Sequence, residues 1–203
     1  KLLATRDYGA DVVLRGPTFT ESLAAAKEFA EKSGAVFIPP YDNFDVIAGQ
    51  GTLGLEILED VPDVDTIVVP IGGGGLISGV AAAVKMRAAE LGRKVRSFGV
   101  QAENAASYVT SLKAGKPTEI KTKRTIADGI AVAKPGSIPF ELIKANIHKV
   151  VTVSDDDIAK AIVVLSERSK QVVEPAGAVG AAGVAATLGT PAALFLFLFL
   201  VYQ

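Results

Sequence analysis

Cysteine and tryptophan are absent from this chain, histidine and methionine occur once each, and aromatic residues make up only 6%. Without cysteine there can be no disulfides, no thiolate metal sites and no cysteine nucleophile. Zinc-ligand spacing is missing as well, and the single histidine, His148, stands just before an apolar run, a surface position rather than a general base. A charge of one sign is also lacking. Lysine and arginine (21) balance aspartate and glutamate (22), giving a net charge of -1, and both signs are spread along the chain. No basic field is therefore present to attract a nucleic acid. The longest apolar run, residues 192–202, is too short for a bilayer-spanning helix, and no signal-peptide pattern opens the sequence. Neither a nucleic acid nor a membrane is expected as a partner, and a reducing, cytoplasmic setting is the default. What is abundant is small and apolar: 203 residues, 49% hydrophobic, rich in alanine, valine and glycine, suit one or two domains of layered α/β structure. There is no internal repeat.

The chain is organised around residues 66–79 (TIVVPIGGGGLISG), an apolar run that breaks into Gly72, Gly73, Gly74 and Gly75 and then into an alanine-rich pattern. The spacing predicts a buried strand over 66–71 and a helix over 76–91 closed by Gly92, so the glycines form a strand-to-helix corner. Glycines let backbone come close to a guest, and the first turn of a helix offers unpaired N–H groups backed by the positive end of its dipole. A phosphate suits that corner better than simple packing does, because consecutive glycines carry an entropy cost that packing rarely requires. The spacing matches neither G-x-G-x-x-G, since Ile77 or Ser78 falls on the last position, nor a P-loop, since Val80 follows Gly79 where lysine belongs.

Elsewhere the pattern alternates strands and helices. Residues 10–14 read as a strand. Thr18 with Glu21 reads as a capping box for a helix to Ser33, with Leu23, Ala26 and Ala30 inward and Gly34 as its stop. Residues 35–38 read as a second strand, and Pro39-Pro40 as a boundary. Asn43 caps a helix over 44–58 whose Gly49, Gly51 and Gly54 each cost roughly 1 kcal/mol relative to alanine, a cost best explained by close helix packing. Strands are expected at 95–100 and 149–153, separated by a polar, turn-rich stretch from 101 to 139. The cationic run 121–124 reads as solvated loop. Asp155, Asp156 and Asp157 after Ser154 resemble a metal cluster but fit better as carboxylates at the N-terminus of a helix reaching Ser169, with Ser154 and Asp157 forming a capping box. Glu174 is an acid in an apolar neighbourhood ahead of a small-residue helix over 178–188. It is either a helix-terminal acid partly in water or a carboxylate facing a ligand. Residues 194–201, apolar on both alternating faces, read as a central strand covered on both sides.

No G-x-S-x-G elbow or other hydrolytic constellation is present. What remains is a phosphate corner at the carboxyl end of a parallel strand, where open α/β sheets hold ligands. Together with residues 4–14 (ATRDYGADVVL), 38–42 (IPPYD), 45–56 (DVIAGQGTLGLE), 70–79, 99–104 (GVQAEN), 126–129 (IADG) and 174–177 (EPAG), the corner resembles the serine/threonine dehydratases. These are pyridoxal-phosphate enzymes of the tryptophan synthase β-like fold, and the likeness to the catabolic threonine type runs in order to about Leu188. It implies an α/β architecture with a parallel sheet flanked by helices, incomplete at both ends. Residues 1–40 would be the remainder of a small domain and 41–203 part of a large one. It also implies pyridoxal 5'-phosphate as cofactor, an amino-acid substrate converted to a 2-oxo acid and ammonia, and a homo-oligomer in the full-length family. Gly72, Gly73, Gly74, Gly75 and Leu76 would bind the cofactor phosphate, with Gly129 and Glu174 beside its ring.

The family's cofactor-holding lysine lies in a Ser-Phe-Lys segment that would precede Lys1. Ser111-Leu-Lys113 imitates the spelling only, and Lys113 reads as solvated. No catalytic residue is assigned, and this chain alone is expected to be inactive. The Ser-Gly-Gly-Asn that follows the last central strand in family members has no counterpart before Gln203. Racemase-like relatives bind a divalent ion with acids at the positions of Gln101 and Ser107, so no metal is expected here. Two rival readings are a non-catalytic phosphate-binding or regulatory fragment and another enzyme of this fold, such as a serine racemase.

Overall fold

Three short segments, the two outer ones rich in β-branched residues, form a parallel sheet in the computed structural model, which describes residues 2–17 and 19–188. Its strands are β1 (Thr66–Pro70), β2 (Arg96–Ala102) and β3 (Lys149–Val153), in the order β1-β2-β3. Pro70 lies opposite Val100, and Ala102 opposite Val153. Because every strand points the same way, the segments leaving β1, β2 and β3 emerge at one edge. That edge is where the glycine corner stands.

Helices cover both faces, as a parallel sheet requires. One face carries α3 (Phe44–Asp60), α4 (Gly75–Glu90) and α6 (Ser137–Asn146), with Ile67, Val69, Val80, Val84 and Phe140 in a shared core. The other carries α7 (Asp155–Val164), extended to Ser169 by a wider turn, and α8 (Pro175–Leu188), packed with Val100, Val153 and Ile158. A short helix α5 (Ser107–Ala114) follows β2. β1, β2, β3 and the principal helices lie close to where the sequence pattern places them, whereas α5 falls within the stretch read as turn-rich and α6 begins at its end. No helix among the described residues is long and apolar enough to cross a membrane.

Backbone contact between α3 and α4 explains two of the three α3 glycines. A methyl group built on Gly51 would stand 3.1 Å from the Gly79 carbonyl oxygen, and one on Gly54 would stand 2.9 Å from that of Val80. Gly49 meets nothing within 4 Å, so close packing does not account for it. Asn43 caps α3 as expected, its Oδ1 accepting from Asp45 N (2.8 Å) and Val46 N (3.2 Å).

The Ser154–Asp157 capping box also forms. Ser154 Oγ accepts from Asp157 N, and Asp157 Oδ2 accepts from the Ser154 hydroxyl (2.6 Å) and backbone N–H (3.2 Å). These bonds, the hydroxyl's first, hold the Asp157 carboxyl below its ordinary value of 3.8. The resulting stability is present above that value and fades as pH falls through the lower folded one. Ser154→Ala is expected to cost about 1 kcal/mol at pH 7. The gap between the urea midpoints of the two chains should narrow as pH falls below 3.8, and a pH-independent gap would contradict the assignment.

The described residues fall into two compact units, one up to Ile38 and the other from Pro39 onward. In the first, α1 (Leu2–Asp7) precedes α2 (Phe19–Ser33), and Gly34 ends α2 as expected. Leu23 and Ala30 are half-buried, whereas Ala26 is exposed. Thr18, half of the expected capping box, lies outside the described residues, as does the expected strand at 194–201. The strands read at 10–14 and 35–38 are corrected by the structure: both segments lack a ladder partner among the described residues. A short run of apolar and β-branched residues suits a strand, but a strand exists only where another lies beside it. Ser22 Oγ instead donates to Arg15 O at 2.6 Å, tying the first of these segments to α2.

Candidate active site

The corner after β1 is built by backbone. Ile71 N–H donates to Val100 O (2.8 Å), continuing the ladder one residue past the strand. The chain then turns through Gly72 and Gly73 to Gly74, whose φ of 100° and ψ of -3° place it in the left-handed region. Gly74 precedes the first residue of α4, so the glycine conformation ends the turn and starts the helix. Among the described residues, no backbone hydrogen bond is donated by the amides from Gly72 to Ile77, whereas Ser78 N–H returns to Gly74 O at 3.1 Å. Gly73, Gly74, Gly75 and Ile77 are buried, and Gly72 and Leu76 are half-buried. Buried donors left without acceptors are costly and rare in native proteins. Gathered at a helix N-terminus, such donors make a candidate cradle for an anion.

The cradle has walls that admit no side chain. A methyl group at Gly73 would enter the Tyr41 ring, and one at Gly75 would come 2.9 Å from Tyr41 Cβ. At Gly74 it would collide with the Tyr108 hydroxyl and approach Pro139 Cβ at 2.9 Å. Tyr108, wholly buried, donates its hydroxyl to Gly73 O at 2.9 Å, and Gly136 N–H donates to the same oxygen at 3.2 Å. Burial above all, with Tyr41 and Asp42 nearby, pushes the Tyr108 phenol far up, so the hydroxyl remains a donor. Burial, then Asp42, raises the Tyr41 phenol too. Asp42 accepts from Ser137 N and Ile138 N, both at 2.9 Å, and so caps α6 from 95 residues away.

Two other expected site residues lie beside the corner. A methyl group on Gly72 would come 3.1 Å from Ile130 Cα, while one on Gly129 would lie 3.6 Å from Glu174 Oε1 and 3.2 Å from Ala176 Cβ. The structure therefore gathers the glycine corner, the turn Asp128–Ile130 and the start of α8. Glu174 directly precedes α8, its carbonyl accepting from Ala178 N at 3.1 Å, and its carboxylate lies on the side of Gly129. Asp155 anchors the same turn, accepting from Thr125 Oγ1 (2.5 Å) and Ile126 N (3.2 Å). Lys113 and His148 are exposed, as read.

Sequence reasoning missed Tyr41, Asp42, Tyr108 and Asp155 as supports. Pro39-Pro40 was read only as a boundary, and Asn43 drew attention from its neighbour. The aspartate triplet fully explained as helix-terminal charge hid the separate task of Asp155. A buried tyrosine in a chain with few aromatics was the available signal.

Comparison with known proteins gives the family. A family model described as "Pyridoxal-phosphate dependent enzyme" matches residues 1–194. The L-threonine ammonia-lyase of Thermotoga maritima is 50% identical over 184 residues, covering 91% of this chain and 45% of that protein. The catabolic L-threonine dehydratase TdcB of Escherichia coli K12 is 45% identical, covering 91% of this chain and 55% of that protein. The solved structure of processed threonine deaminase isoform 2 from Solanum lycopersicum superposes with a TM-score of 0.84 at 40% identity, over 91% of this chain and 53% of that one. The chain thus spans about half the length of the relatives it matches. The extent of the family match, with these identities, shows that the chain belongs to the pyridoxal-phosphate-dependent enzymes.

Proposed function

We propose that this chain is the cofactor-phosphate-binding part of a threonine or serine ammonia-lyase, which converts the amino acid to a 2-oxo acid and ammonia. The observation that carries the reading is the set of buried and half-buried amides from Gly72 to Ile77 that donate no backbone hydrogen bond. A doubly charged phosphate supplies the acceptors they lack, and the tight walls around Gly73, Gly74 and Gly75 suit a cradle of main chain alone. The residues present fit the group. Gly72, Gly73, Gly74, Gly75 and Leu76 would hold the phosphate by N–H donation. Gly129 would leave room for the ring, and Glu174 would face that region. When bound, pyridoxal phosphate supplies an electron-withdrawing ring that makes the substrate α-proton acidic and the β-hydroxyl able to leave. The protein's share at this corner is binding and orientation: the helix dipole offsets phosphate charge, and the neutral tyrosines exclude water from the wall.

The domain assignment follows the same reading, with residues 1–40 in a small domain and 41–203 in a large one. Threonine is favoured as substrate by the relatives' names, and a cytoplasmic homo-oligomer is the expected setting. The test compares affinities for pyridoxal phosphate and pyridoxal, together with 2-oxo acid release from threonine. At least a tenfold preference for the phosphorylated compound is expected, about 1.4 kcal/mol. Equal affinities would remove the phosphate assignment, and 2-oxo acid release would overturn the expectation that this chain alone is inactive.

A further inference from the structure

We propose that Tyr108 and Gln101 are positioning residues that aim the phosphate-binding amides, by holding the opposite ends of the peptide units that carry them. The inference rests on the reading of the glycine corner as a phosphate site. In a planar trans peptide, the carbonyl and the following N–H point in opposite directions. An anchor on the carbonyl oxygen of residue i therefore directs the N–H of residue i+1 away from that anchor. The Gly73 carbonyl is anchored by the Tyr108 hydroxyl (2.9 Å) and by Gly136 N–H (3.2 Å), which turns Gly74 N–H away from both. The Ile71 carbonyl is anchored by Gln101 Nε2 (3.4 Å), which turns Gly72 N–H away from the Gln101 side chain. Alternate amides of the corner are thereby directed from behind.

The anchors are themselves joined. Gln101 Oε1 accepts from Tyr108 N–H at 2.9 Å, and Gln101 Nε2 also donates to Ala105 O at 3.3 Å. Both side chains are wholly buried. A polar side chain buried to this degree keeps its partners because losing one leaves an unpaired group. The sheet explains their placing: Gln101 is near the carboxyl end of β2, next to the strand that leads into the corner, and Tyr108 is in the first turn of the helix after it. Neither needs to touch the anion.

Tyr108→Phe removes the hydroxyl and keeps the ring that fills the space. Its affinity for pyridoxal phosphate and for inorganic phosphate is expected to fall by the same factor, roughly fivefold for one hydrogen bond, while its affinity for pyridoxal stays unchanged. In nitrogen–proton spectra, the Gly74 amide should shift on adding inorganic phosphate to the unaltered chain and shift less in the variant. An equal loss for pyridoxal would mean general loosening and would overturn the proposal. So would phosphate affinity that the variant leaves unaltered. If the unaltered chain shows no preference for phosphate-bearing ligands, the phosphate reading falls first and the inference falls with it.

Discussion

Alanine at Gly79 is expected to lower the stability of the larger unit by about 3 kcal/mol, the cost of overpacking a rigid contact. Intrinsic helix preference points the other way, since alanine is better than glycine in a helix by roughly 1 kcal/mol. Space decides the sign. The added methyl group would collide with the Ile47 carbonyl oxygen and approach Gly51 N at 2.6 Å, and both are backbone atoms that cannot rotate aside. Relief requires α3 and α4 to separate, opening a core that holds Ile77, Val80 and Val84. At about 3 °C per kcal/mol for a unit of this size, the melting temperature should drop by roughly 10 °C. Gly49→Ala provides the control, because nothing lies within 4 Å of its methyl group. There helix preference acts alone, and a gain of about 0.5–1 kcal/mol is expected. Thermal melts of the two variants should move in opposite directions, and a shared direction would refute the backbone-contact account.

Gly74→Ala should remove phosphate binding, with affinity falling roughly a hundredfold, about 2.7 kcal/mol. Two penalties coincide at this residue. Its φ of 100° is one that L side chains rarely adopt, at a cost of order 1–3 kcal/mol. The methyl group would also occupy the place of the Tyr108 hydroxyl. To admit it, the corner must open and displace the Gly73 carbonyl from its donors. Gly73→Ala is expected to be milder, because Gly73 lies outside the left-handed region and its methyl group meets a steric obstacle alone, the Tyr41 ring. Titration with inorganic phosphate measures both variants. A Gly74 variant that binds as tightly as the unaltered chain would dissociate the corner from the anion.

The parts of this molecule that were legible in the sequence are those fixed by near neighbours. The apolar run into Gly72, the box of Ser154 and Asp157, and the cap at Asn43 each span a few residues and formed as read. Errors arose where distant segments decide. Residues 10–14 and 35–38 have strand-like apolar, β-branched composition, but a ladder partner is not written in the segment itself. The helix α6 was obscured by Pro139, which resembles turn punctuation but occupies a first turn where its missing N–H costs little. Its cap, Asp42, is nearly a hundred positions away. The candidate site divides the same way. Its glycines announce themselves by composition, whereas Tyr108 reaches Gly73 across 35 residues and its task emerges only from the folded chain.

Since the proposed anion cradle between Gly72 and Ile77 is made of main-chain N–H groups, selection has no charged side chain there to delete or exchange. The donors persist through nearly any substitution, so mutation can weaken this recognition only by adding bulk or by twisting the ribbon. Drift at these positions should therefore end in abrupt loss, with few graded intermediates. Gradual tuning would come from the residues behind the loop.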